Sequence, residues 1–151
     1  MDYINLKKSL VEYCKNRLEL KLKELTIIYQ SLIDSIQTDS KSSAGDKHET
    51  FKSMMHIEQE KMQTQIKIIN QQINTLNQLK IEKKNRIENG TLIITDTKIF
   101  FIAASLGLVN ISDQAYFIVS LDSPIIHFMK KQSINTAFTF QSSIYNIIDI
   151  Q

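Results

Sequence analysis

The sequence predicts an α+β protein: an N-terminal antiparallel coiled-coil helical hairpin over residues 1–89, then a C-terminal antiparallel β domain with one short helix over residues 90–151. Three observations carry this. Residues 1–37 contain no glycine or proline and repeat apolar side chains at helical spacing. A polar, small-residue segment interrupts that pattern, and a second helical stripe follows it. After Asn89-Gly90 the apolar residues become β-branched and aromatic, and charge thins out. Residues 1–89 carry 15 Lys and Arg against 12 Asp and Glu, while residues 90–151 carry 3 against 4. That shift sets the boundary at Asn89-Gly90.

The first helix is read from Leu18, Leu22, Leu25, Tyr29, Leu32 and Ile36. Their steps alternate four and three, which is a heptad seam. Val11 and Cys14 extend it upstream with one slip of register. The stretch Thr38-Asp39-Ser40-Lys41-Ser42-Ser43-Ala44-Gly45-Asp46 has loop composition. The second helix shows Met62, Ile66, Ile69, Ile73 and Leu76, with Phe51 and Met55 extending the stripe toward the loop. It is expected to run to about Glu88 and to end at Asn89-Gly90, a C-cap pair. Neither helix is stable alone in water, so each buries its stripe against the other. Arms of about 35 residues reach roughly 50 Å.

Strands are expected at Thr91–Thr95 and Lys98–Ala103, joined tightly at Asp96-Thr97, and at Tyr116–Ser120. Ser123-Pro124 starts a short helix through about Met129, with serine as N-cap and proline at the first position. Ala137–Phe140 and Ile144–Ile150 close the domain as two more strands.

Several function classes are excluded. No run approaches the roughly 18 apolar residues of a membrane span. The opening Met1–Lys8 lacks the features of a secretory signal, so the cytoplasm is the expected compartment. Cys14 is the only cysteine and lies in a helical stripe, which suits a packed thiol rather than a nucleophile. His48, His56 and His127 form no metal-ligand spacing with it. No P-loop, GxGxxG or GxSxG motif occurs.

The inter-helix segment carries the candidate chemistry. Asp46 and Glu49 are three apart where a helix begins, which places both carboxylates on one face. One reading is a capping box that also favours the helix dipole. The other is functional: two carboxylates can hold a divalent cation with positions open for water and phosphate. At the end of a long arm they suit delivery into another protein's site, because nothing there excludes water or orients a substrate.

Gly45-Asp46-Lys47-His48-Glu49 and Ser120-Leu121-Asp122-Ser123-Pro124-Ile125, with the closing Tyr145–Ile150, resemble in order and spacing the bacterial GreA/GreB transcript-cleavage (transcription elongation) factors. The resemblance covers nearly the whole chain. It implies an FKBP-like C-terminal domain and an accessory factor rather than an enzyme. Ser120, Ser123, Pro124 and Ile125 would then bind RNA polymerase, and the hairpin would enter its secondary channel. Asp46 and Glu49 would be the catalytic and metal-holding pair, sharing Mg²⁺ with the polymerase active site during cleavage of backtracked RNA. Lys41, Lys47 and Lys52 would face the RNA backbone. A monomer is expected, since the hairpin satisfies its own seam. The chain departs from the family at Thr50-Phe51-Lys52, and at Ile126, Lys131 and Asn135, which stand where the family has glycine. Of these, asparagine suits a left-handed turn. Two other readings stay open: a non-cleaving regulator that occupies the same channel, and a coiled-coil adaptor. A prolyl isomerase is rejected, because the domain lacks a tryptophan floor and is small for an apolar substrate pocket.

Overall fold

The computed structural model describes residues 2–39 and 45–151, and the fold is α+β: a helical hairpin and a six-stranded sheet. Helix α1 spans Tyr3–Asp39 and helix α2 spans Gly45–Asn77. By compactness the chain divides into residues 16–74 and a second unit of residues 1–15 with 75–151.

In the hairpin unit, the least exposed positions of α1 are Leu18, Leu22, Leu25, Tyr29, Leu32 and, beside it, Ile33, then Ile36. On α2 they are His48, Lys52, Met55, Gln59, Met62, Ile66, Ile69 and Ile73, again in steps of four and three. The apolar positions expected to be buried are therefore the less exposed ones, with one correction. Phe51 is 44% exposed and does not extend the stripe. His48 and Lys52 take the seam positions, so the stripe turns polar toward the inter-helix turn. The Tyr29 hydroxyl accepts from the side-chain amides of Gln59 and Gln63, which ties α1 to α2 at mid-length.

Helix α2 ends at Asn77, not at about Glu88. The physical reason is local and tertiary together. Lys80 sits three and four residues from Lys83 and Lys84, spacings at which like charges oppose a helix. Other partners then bind the backbone of residues 78–91. Lys7 Nζ donates to Glu82 O at 2.7 Å. Thr91 Oγ1 donates to Arg86 O at 2.8 Å and accepts from Glu88 N at 3.1 Å. Gly90, at φ +90, donates to Ile102 O at 2.7 Å, so it opens the sheet instead of capping a helix.

Strands β1 (Leu92–Thr95), β2 (Ile99–Ile102), β3 (Gly107–Ile111), β4 (Gln114–Val119), β5 (Ala137–Phe140) and β6 (Ser143–Ile150) pair in the order β3-β4-β2-β1-β6-β5. Strand β3 was not expected from the sequence. The sheet is mixed rather than wholly antiparallel: β2 and β4 run parallel, because β4 inserts between β3 and β2. The β3–β4 turn, Ser112-Asp113, and the β5–β6 turn, Gln141-Ser142, have positive φ at both residues. That is the two-residue turn whose twist matches a hairpin. Asn135 is also left-handed, at φ +65.

The sheet buries both faces. On one, Ile93, Phe100, Ile102, Phe138, Tyr145 and Ile147 pack with Ile126 and Met129 of helix α3 (Pro124–Met129). On the other, Leu92, Phe101 and Ile118 lie in register across β1, β2 and β4 with no exposed surface. The same compact unit contributes buried Leu10, Val11 and Cys14 from the first turns of α1, and Leu76 from the end of α2. Among the described residues, no helix is long and apolar enough to cross a membrane.

Candidate functional site

Two separate places bear the residues singled out in the sequence. The first is the start of α2. Helix α2 starts at Gly45, which is left-handed at φ +51 and where an added Cβ would meet nothing within 4 Å. Asp46 and Glu49 both fall in the first turns of α2, three residues apart and so on one side of the helix. Glu49 is exposed; its carbonyl accepts from Ser53 Oγ at 3.0 Å. The side chain of Asp46 and the whole of Lys41 lie outside the described residues.

Lys47 is exposed, whereas Lys52 is half-buried at a seam position. His48, one turn before it, is half-buried, and its Nε2 has no hydrogen-bond partner among the described residues. The spacing His48–Lys52–Met55 was available in the sequence as a continuation of Met62 and Ile66. Polar side chains at those positions hid it.

The carboxylate described at this end of α2 is that of Glu49, an oxygen donor of the kind Mg²⁺ prefers. Among the described residues, no group of three or more His, Cys, Asp and Glu is placed to hold a metal.

The second place is the start of α3. Ser123 N donates to Ser120 O at 3.1 Å, forming the turn into the helix, and Ser120 is half-buried. Ser123 is the N-cap by backbone position, at φ −66 and ψ 143. Its Oγ makes no capping bond and is buried with no partner among the described residues. Pro124 is exposed at the first helical position, and Ile125 is half-buried against the core. The four residues are therefore consecutive in space, with Pro124 outermost. Phe128 of the same helix, 49% exposed, meets Phe140 of β5 edge-to-face at 5.4 Å.

Lys98 lies elsewhere on the sheet, over the Phe117 ring at 4.7 Å, and donates to the Tyr145 hydroxyl at 3.1 Å. The lone thiol, Cys14, is fully buried, and burial pushes it up to about 12. It is inert as a nucleophile at neutral pH. No protein-family model, no curated protein and no solved structure matches the chain.

Proposed function

We propose that this protein is an accessory transcription elongation factor of the GreA/GreB kind, which enters the secondary channel of RNA polymerase and stimulates cleavage of backtracked RNA. The single observation that carries the reading is the place of Asp46 and Glu49, three residues apart in the first turns of α2. On this reading the hairpin is an antiparallel coiled coil, and the sheet with α3 is an FKBP-like domain. That domain docks on polymerase through Ser120, Ser123, Pro124 and Ile125, with the cytoplasm as the working compartment.

In the mechanism, the two carboxylates present oxygens to a cation held jointly with the polymerase. Bound Mg²⁺ supplies charge neutralisation and an acidified water for attack on a phosphodiester. Asp46 and Glu49 would be the residues of this chain that help hold the cation. Lys47 and Lys52, with Lys41, offset the charge of the RNA backbone. No general base of the chain's own is required, since the chemistry belongs to the polymerase site.

The test is RNA cleavage in a stalled, backtracked elongation complex, with wild type or the Asp46→Ala/Glu49→Ala variant. Faster release of 3′ fragments by wild type alone supports the reading. If neither accelerates release while both bind polymerase, the protein is a channel-occupying regulator and the acidic pair is a helix cap. A coiled-coil adaptor is a second reading, favoured by outward side chains on the hairpin: Leu20 is 50% exposed, Ile27 60%, Met54 65% and Ile57 66%. Light scattering separates it, since an adaptor of that kind self-associates and the elongation factor is a monomer.

A further inference from the structure

Cavities on the unit of residues 1–15 and 75–151 differ in how their charges are matched. A cavity of about 470 Å³ includes Lys84 in its wall, but that ammonium sits 2.9 Å from Glu82 Oε1 and 2.8 Å from Glu88 Oε1. One of about 230 Å³ beside Lys7 and Lys83 includes the Asp2 carboxylate. The third, of about 440 Å³, is lined by Asn85, Arg86, Ile87, Lys130, Gln132 and Ile150: two cations, two amides and no carboxylate.

The acids nearest in sequence are committed elsewhere. Glu88 holds Lys84. Asp149 accepts from Ile150 N at 2.8 Å and from Gln151 Nε2 at 2.6 Å. Neither Arg86 nor Lys130 has an ion-pair partner among the described residues. The groove's apolar side is fixed, because Ile87 and Ile150 pack against the sheet core. Lys130 at the C-terminal end of α3 has a simpler explanation in the helix dipole. That explanation covers neither Arg86, which comes from a different segment 44 residues away, nor the two amides.

We propose that this groove binds a phosphate-bearing ligand of about mononucleotide size. The phosphate sits between the Arg86 guanidinium and the Lys130 ammonium, the pairing such cations make best. Asn85 and Gln132 offer donors and acceptors to the polar edge of the ligand, and Ile87 and Ile150 offer it an apolar wall. The volume falls within the range of small-molecule sites. The inference is independent of the acidic pair on α2.

The experiment is calorimetric titration of the full chain with AMP, inorganic phosphate and adenosine. It compares wild type, Arg86→Gln/Lys130→Gln, and Lys131→Gln, which removes a neighbouring exposed charge outside the groove. All three give the same circular dichroism and thermal midpoint if folded alike. The expected result is saturable AMP binding, weakened by roughly tenfold or more in the double variant. Binding by Lys131→Gln stays as in wild type, and adenosine does not bind. Equal affinity for AMP and inorganic phosphate supports the phosphate contact and assigns free phosphate as its source. No saturable binding of either, equal binding by the double variant, or an equal loss in Lys131→Gln overturns the site.

Discussion

Lys7 Nζ donates to the backbone carbonyl of Glu82 at 2.7 Å from a side chain with no exposed surface. The contact spans 75 residues of sequence and pins the segment after α2 to the first turns of α1. Burial, and then the charge of Lys84, lower this ammonium from 10.5 to about 8, against a smaller opposing pull from Glu82. Below pH 8 the group is charged in both folded and unfolded chains, so its burial cost is fully present. Between pH 8 and 10.5 the unfolded chain still binds the proton and the folded chain releases it, so stability rises through that window. The gain is on the order of 2–3 kcal/mol at its upper end. Urea unfolding of wild type and Lys7→Met at pH 7.5, 9 and 10.5 checks it. Wild type gains on the variant as pH rises; parallel profiles would sink the assignment.

Gly90 is expected to resist substitution more than Gly107. Both are left-handed, at φ +90 and +73. A Cβ on Gly90 would stand 3.0 Å from Leu79 Cδ2 and 3.3 Å from its Cγ, whereas one on Gly107 would meet nothing within 4 Å. Gly107→Ala should therefore cost about 1 kcal/mol of backbone strain alone. Gly90→Ala adds the displacement of a half-buried leucine and should cost about 2 to 3 kcal/mol. Chemical denaturation of the two variants measures the difference; equal costs would mean that Leu79 yields freely.

The hairpin was readable because its signal is periodic and long. Leu18 through Ile36 and Met62 through Ile73 repeat at a spacing that only a helix pair can bury, and Ser123-Pro124 marks the start of α3 through a fixed φ. What was missed depends on distant partners. The residues after Asn77 look helical until Lys7 and the strand opened by Gly90 claim their backbone groups. Strand β3 is short, and only Val109 in it is buried; its turn, Ser112-Asp113, lacks the glycine that announces such a hairpin. Nothing local says that β4 rather than β3 lies beside β2. Of the candidate site, the Asp46/Glu49 spacing was plain in the sequence, whereas the Arg86–Lys130 groove joins segments that only the folded sheet brings together.

The register of α2 gives a separate prediction. Leu18 is 2% exposed and Met62 6%, while Phe51 is 44% exposed. Replacing Leu18 or Met62 by alanine should cost about 2 to 4 kcal/mol through lost burial and the cavity left behind. Phe51→Ala should cost under about 1 kcal/mol, despite removing a larger side chain. Thermal unfolding of the three variants decides. A Phe51 loss as large as that of Met62 would restore Phe51 to the seam and displace His48 and Lys52 from it.

Ser123 separates folding from docking. A serine N-cap that bonds the helix contributes about 1 kcal/mol, lost on substitution by alanine. Here the Oγ makes no such bond and is buried without a partner among the described residues. Removing a buried, unpaired hydroxyl leaves no donor or acceptor stranded, so Ser123→Ala should shift stability by less than about 0.5 kcal/mol in either direction. On the proposed function, the variant then reads the proposed docking surface cleanly. If its affinity for RNA polymerase falls while its unfolding midpoint is unchanged, the hydroxyl is held in reserve for a partner's donor or acceptor. A stability loss of about 1 kcal/mol or more, with affinity intact, would instead make Ser123 an ordinary helix cap and leave the docking contact to Pro124.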